Sequence, residues 1–145
     1  MSVEWVDVNK LIPGLPLPPY LIQKETAAEV VAALTRSGFV VGELDGHVIN
    51  SQRDLLEKIG KVLEFPDYYG CNWDALTDCA GDLPRQGKPK VALVWHDSDL
   101  LLRRSVHDFV RSMTLMYDIA KSTSTLPPDA VDPDLQMEVF FSGEW

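Results

Sequence analysis

Asp74 and Asp78 lie four residues apart in the stretch FPDYYGCNWDALTDCAGDL, residues 65–83. On a helix that spacing places both carboxylates on one face, where two like charges cost rather than add stability. The helix dipole eases the first of them, near the helix start, but not the second, toward its end. Three chemistries fit such a pair. The plainest is a solvated acidic face. The pair could serve a hydrolase as acid and base or nucleophile, which would require a substrate cleft and further polar groups around it. It could instead meet the cations of a protein partner. The neighbouring Tyr68 and Tyr69 favour this last reading, because aromatic residues around charges suit a protein interface.

The other reactive side chains are less telling. Cys71 stands just before the expected helix start, a place that lowers a thiol pKa, but no histidine is near it in sequence. Cys71 and Cys79 are eight apart, which is neither a zinc spacing nor a disulfide framework, so both are expected as free thiols, buried or half-buried. His47, His96 and His107 fall in a turn, at a strand end and in a helix, and are expected as surface or internally satisfied groups. Without a glycine-rich phosphate loop, a metal-spaced cluster or a nucleophile motif, the expectation is a binding protein with no cofactor and no metal.

The elements that must hold the acids are legible on either side. Pro66 ends the preceding helix by about Phe65, Gly70 permits a tight backbone, and Asn72 is a good N-cap. From it a helix runs over 72–81, with Trp73, Leu76 and Ala80 on its inner side and Gly81 as its stop. Upstream, Ser51 and Asp54 resemble a capping box before the apolar stripe Leu55, Leu56, Ile59, Val62 and Leu63. Residues 39–46 read as a strand ending in the turn pair Asp45 and Gly46, with Gly42 marking close backbone packing.

Beyond the acidic helix, residues 82–89 form a turn-rich loop, and the apolar run 91–95 fits a central strand covered on both faces. Asp97 or Ser98 then caps one long helix carrying Leu102, Val106, Phe109, Met113, Met116 and Ala120, a stripe read as core. Residues 121–134 are a Ser, Thr and Pro-rich loop, and 135–141 alternate as a last strand. At the other end, residues 3–11 suggest an edge strand, PGLPLPPY should be extended, and residues 25–37 form a helix stopped by Gly38. Strands separated by helices call for right-handed crossovers and a small, mainly parallel α/β sheet with helices packed against it.

The 145 residues, 46% of them hydrophobic, suit one compact domain. A net charge of −9 argues against direct nucleic-acid binding and favours a basic protein partner. The start of the chain has no basic region leading into an apolar core, and no apolar run approaches the ~20 residues of a membrane span. A cytoplasmic protein is therefore expected.

The segment YYGCNWDALTDC resembles the signature of the barstar-like family, intracellular inhibitors of ribonucleases, and the likeness extends more loosely over residues 39–141. Residues 1–38 have no counterpart in the small inhibitors and read as an N-terminal extension holding the possible edge strand and helix. The resemblance implies a three-stranded parallel sheet for 39–141 and inhibition of a basic, barnase-like ribonuclease. It implies Asp78 as the central acid, Asp74 as its neighbour and Tyr68 as an aromatic contact, with Asn72 and Gly81 lining the helix ends. A second acid is implied on the long helix, where Asp118 is the nearest candidate. Thr77 stands where the family's inhibitor has tryptophan before the central acid, and Trp73 stands where it has leucine, so both belong to the implied contact set and mark a partner surface of a different shape. The alternative is an interaction module that uses the same fold without a nuclease partner.

Overall fold

A computed structural model of the protein describes residues 4–124 and 134–145. Its centre is a parallel sheet of β1 (Tyr20–Gln23), β2 (Val40–Asp45), β3 (Lys90–His96) and β4 (Gln136–Gly143), in the order β1-β4-β3-β2. The strands expected at 39–46, 91–95 and 135–141 share this one sheet, with β3 internal and Val91 to Trp95 wholly buried. Alternation along the strands divides their side chains between two cores. Val91, Leu93, Trp95, Met137, Val139 and Phe141 face one, while Ala92, Val94 and Phe140 face the other. Helices cover both faces, so both parities of the internal strand β3 are apolar and Val91 to Trp95 read as a continuous hydrophobic run.

The helices form where the caps and stripes place them. α2 (Ala27–Arg36) buries Ala27, Val30, Ala33 and Leu34, and Gly38, at φ +90°, ends it. α3 (Gln52–Val62) starts on Ser51, whose hydroxyl accepts from the Asp54 amide at 3.1 Å, while the Asp54 carboxylate accepts from the Asn50 amide at 2.9 Å. Its residues Leu55, Leu56 and Ile59 are buried with Leu63, each contributing about 1.5–3 kcal/mol by leaving water. α4 (Trp73–Gly81) is the expected acidic helix. Gly42 of β2 is as tightly packed as anticipated, since a Cβ there would lie 2.9 Å from a Leu93 methyl and 3.0 Å from a Val62 methyl.

Several expectations need correction. The edge strand expected over 3–11 is instead the short helix α1 (Val8–Leu11), because the Asp7 side chain caps it through the Asn9 amide and only Val8 is buried. The edge strand lies later, at β1, and makes the sheet four-stranded; the segment expected to be extended turns at Pro13 and Gly14 and bends over 17–19 before Tyr20 enters it. The single long helix is two, α5 (Asp99–Arg104) and α6 (Val106–Thr123). Ser105 breaks it at φ −154° and restarts it by accepting from the Asp108 amide, and Val106, placed on the apolar stripe, is 63% exposed. Within the loop expected over 82–89, Leu83–Gln86 form a 3-10 turn. Of the last loop, residues 121–123 continue α6, and 125–133 lie outside the described residues. No helix among the described residues is long and apolar enough to cross a membrane.

Candidate functional site

The acidic helix is presented by a turn whose own anchors are half-buried against the core. At the end of α3 the Phe65 amide reaches the Gly60 carbonyl at 2.9 Å and the Glu64 amide reaches that of Lys61 at 3.2 Å, with Glu64 at φ +56°. This is the Schellman arrangement, made here without glycine at the left-handed position. It delivers Phe65 edge-on to Tyr69, ring centres 5.0 Å apart. The Tyr69 hydroxyl donates to the Leu56 carbonyl at 2.9 Å, and its ring lies so close to Gly60 that a Cβ there would fall 2.5 Å from Cε2. Burial pushes the Tyr69 phenol well above its usual range, with the Cys71 and Cys79 thiols adding to it. Tyr69 therefore stays a neutral donor and fixes the turn, leaving Tyr68 72% exposed beside it.

Cys71, at φ +52°, then turns the chain into the helix, and the Asn72 side chain accepts from the Ala75 amide at 2.8 Å. The 3.6-residue period does the rest. Leu76, Cys79 and Ala80 are buried, whereas Asp74, Thr77, Asp78 and Gly81 are exposed. Neither Asp74 nor Asp78 makes a hydrogen bond or ion pair with a described residue. Cys79 and Cys71 are free thiols, and burial, followed by the charges of Asp82 and Asp78, pushes the Cys79 thiol up, away from thiolate chemistry. Thr77 bonds back to the Trp73 carbonyl at 3.1 Å. Gly81 is the last residue of α4 rather than a left-handed stop, and a Cβ on it would meet nothing within 4 Å.

Trp73 points inward. Its indole donates to the Gln52 side chain at 3.0 Å, and Gln52 donates on to Asp108 at 2.9 Å, so the first turns of α3, α4 and α6 are tied together. Asp118 is exposed on α6, the helix against which α4 packs. The structure thus gathers Asp74, Thr77, Asp78, Asn72 and Gly81 on one short helix with Tyr68 in the turn before it, and it places Asp118 on a separate element.

Two of the three histidines sit beside carboxylates. His96 contacts Glu43 at 2.9 Å, and His47 Nδ1 lies 3.1 Å from Asp45 and 3.4 Å from Asp97, while His107 is exposed. Asp45, His47 and Asp97 bring one potential metal-ligand atom each within 4.8 Å of one another, a grouping that linear spacing could not reveal because it joins the end of β2 and the turn after it to the residue that follows β3. Sequence reasoning also missed Gly60, Gln52 and Gln136. Only Gly60 left a signal, as a glycine inside an apolar helical stripe.

A family model described as Barstar (barnase inhibitor) matches residues 39–138. It spans β2, β3, α3 to α6 and every candidate site residue, and it leaves α1, β1 and α2 outside. No curated protein matches the chain.

Proposed function

Because the chain belongs to the barstar family, we propose that it inhibits a basic ribonuclease by presenting Asp78 and Asp74 to the cations that would otherwise hold the RNA phosphates. The observation that carries this reading is the pair itself: two exposed carboxylates on one face of a capped helix, without a partner among the described residues. A carboxylate takes charge-assisted hydrogen bonds from Arg, Lys or protonated His much as a phosphate does, so it can fill such a site without being cleaved. The helix is held by Asn72, Trp73 and Gln52, so little ordering entropy remains to be lost on binding. Tyr68 and Thr77 would border the acids, Asn72 and the bare Gly81 would let the partner approach the helix ends, and Asp118 would supply a second acidic contact from α6. Trp73 acts from within, as the brace of the helix, and Thr77 leaves a smaller side chain at the contact than the family's inhibitor has there.

Asp78→Ala tests the assignment by calorimetry against barnase or a ribonuclease recovered with the chain. Truncating one member of a buried interfacial charge pair costs about 2–5 kcal/mol, a general range that already includes the family's own barnase complex and is not calculated from this chain. At about 1.4 kcal/mol per decade, even the lower bound weakens binding more than tenfold. The melting transition should hold or rise slightly, because the like-charge pair on α4 costs the helix a few tenths of a kcal/mol. Unchanged affinity, or a collapsed melt, returns Asp78 to a solvated or structural carboxylate. A non-nuclease partner that binds through this helix would favour the interaction-module reading.

A further inference from the structure

β1 pairs only with Phe140 to Gly143, so the first half of β4 has no strand on that side. The N-terminal segment takes that place by an unusual route. The buried Gln136 side chain accepts from the Val6 amide at 2.9 Å and donates to the Val6 carbonyl at 2.7 Å, acting as a one-residue substitute for a strand. Beside this clasp a cleft of about 350 Å³ remains between the segment, β4 and α6. That is within the ordinary range of small-molecule sites. Residues outside the family match build one side of it and residues of the core the other.

Acidic and aromatic groups predominate in the cleft. Asp7 and Glu138 supply two carboxylates, and Trp5, Tyr20 and Tyr117 supply three aromatic rings. Glu138 accepts from the Gln136 side-chain amide at 2.9 Å and has no ion pair with a described residue. The Tyr20 hydroxyl donates to Asn9 at 3.3 Å, and its ring stacks on Phe140, so it is fixed rather than free to turn away. Lys121, which is already engaged in an interaction of its own, is the only cation among the residues lining the cleft. A half-buried carboxylate among aromatic rings, with a second acid at the entrance segment, repels anions and suits a positive group that also has apolar surface.

We propose that this cleft binds a small organic cation of the alkylammonium class, its charge meeting Glu138 and its alkyl groups lying against Trp5 and Tyr117. A hydrated metal ion would leave the rings unused, and a neutral apolar ligand would leave the carboxylates without a partner. The site would give the N-terminal extension a function of its own, separate from the acids of α4.

The test is an NMR titration of the full chain with choline, alongside 3,3-dimethylbutanol as its neutral isostere. Choline should give saturable shifts at the Trp5 indole and the Tyr20 and Tyr117 rings, and the isostere should bind at least about tenfold more weakly, a difference of about 1.4 kcal/mol. Glu138→Gln should weaken choline binding by a similar factor while the chain stays folded, and Trp5→Ala should weaken it without touching the carboxylates. An absence of saturable shifts overturns the proposal. So does equal binding of the isostere, or a Glu138→Gln variant that binds choline as the parent does.

Discussion

Asp78 and Glu138 are carboxylates in opposite circumstances. Asp78 is exposed on α4 with no described partner, so its removal asks little of the fold. Glu138 is mostly enclosed, and burial raises its pKa above the ordinary glutamate range; the Gln136 hydrogen bond opposes that shift and the charge of Asp7 adds to it. The folded chain therefore holds the Glu138 proton more tightly than the unfolded chain does. Below the ordinary glutamate pKa the group is protonated in both states and costs nothing, whereas as pH rises through that value toward the folded one the ionised form disfavours folding. Glu138→Gln keeps an acceptor for Gln136 and removes that cost. It should melt higher than the parent at pH 7, with the difference closing as the pH falls below about 4.3, the ordinary glutamate value; paired thermal melts across that range check it, and a gap that persists in acid would deny that ionisation is its source. At this scale the acids of α4 were legible because helical spacing alone fixes which side chains share a face. Glu138 was not, because its surroundings are assembled from Gln136, Asp7 and Tyr20, which the chain brings together from both of its ends.

Among the elements, two glycines in neighbouring helices make opposite demands. Gly60 in α3 has Tyr69 against it, so a methyl group there must displace a ring that is itself tied to the Leu56 carbonyl. Gly81 ends α4 with open space where a side chain would be. Gly60→Ala should destabilise by about 1–3 kcal/mol through overpacking, outweighing any gain in helix propensity. Gly81→Ala should stabilise by roughly 0.5–1 kcal/mol, because the backbone is already helical and nothing obstructs the methyl group. Urea denaturation of both variants gives the signs, and the same sign for both would mean that the Tyr69 turn yields freely and does not brace α4. Helix ends were readable at Ser51, Asn72 and Gly38, where a cap or stop residue adjoins a clear apolar stripe. The break at Ser105 was not, since a mid-helix serine is compatible with a continuous apolar stripe, and only the extended backbone with its cap on Asp108 shows that the chain restarts. β1 was hidden for a related reason: four residues after a proline-rich run carry too little alternation to be read as a strand, and pairing with Phe140 to Gly143 is what makes them one.

Over the whole molecule, a net charge of −9 acts at longer range than any one contact. If the partner is a basic ribonuclease, the association rate should fall steeply as salt rises, because the Debye length shrinks from about 30 Å at 0.01 M to about 10 Å at 0.1 M. Stopped-flow association across that range decides it, and a salt-independent rate would count against electrostatic steering. The sign of the charge was plain from composition, and so was the α/β class, because strand and helix patterns alternate from residue 39 onward. The place of the extension was not, since nothing in residues 1–38 states which edge of the sheet it joins. In the structure β1 pairs with β4, and α2 lays Ala27, Val30 and Leu34 against a core containing Ala92, Val94 and Phe140. We propose that the extension and the family core fold as one cooperative unit. Each large apolar side chain returned to water costs about 1.5–3 kcal/mol, against a total stability of about 5–15 kcal/mol for a typical domain. Removing residues 1–38 strips α2 and β1 from the sheet together, exposing several such side chains and the edge of β4, an invitation to aggregation. The fragment 39–145 should therefore bind a hydrophobic dye, lose its near-ultraviolet dichroism and fail to melt cooperatively, although the family match lies wholly inside it. A fragment that melts as sharply as the full chain would instead make the extension a separate unit docked on a self-sufficient core.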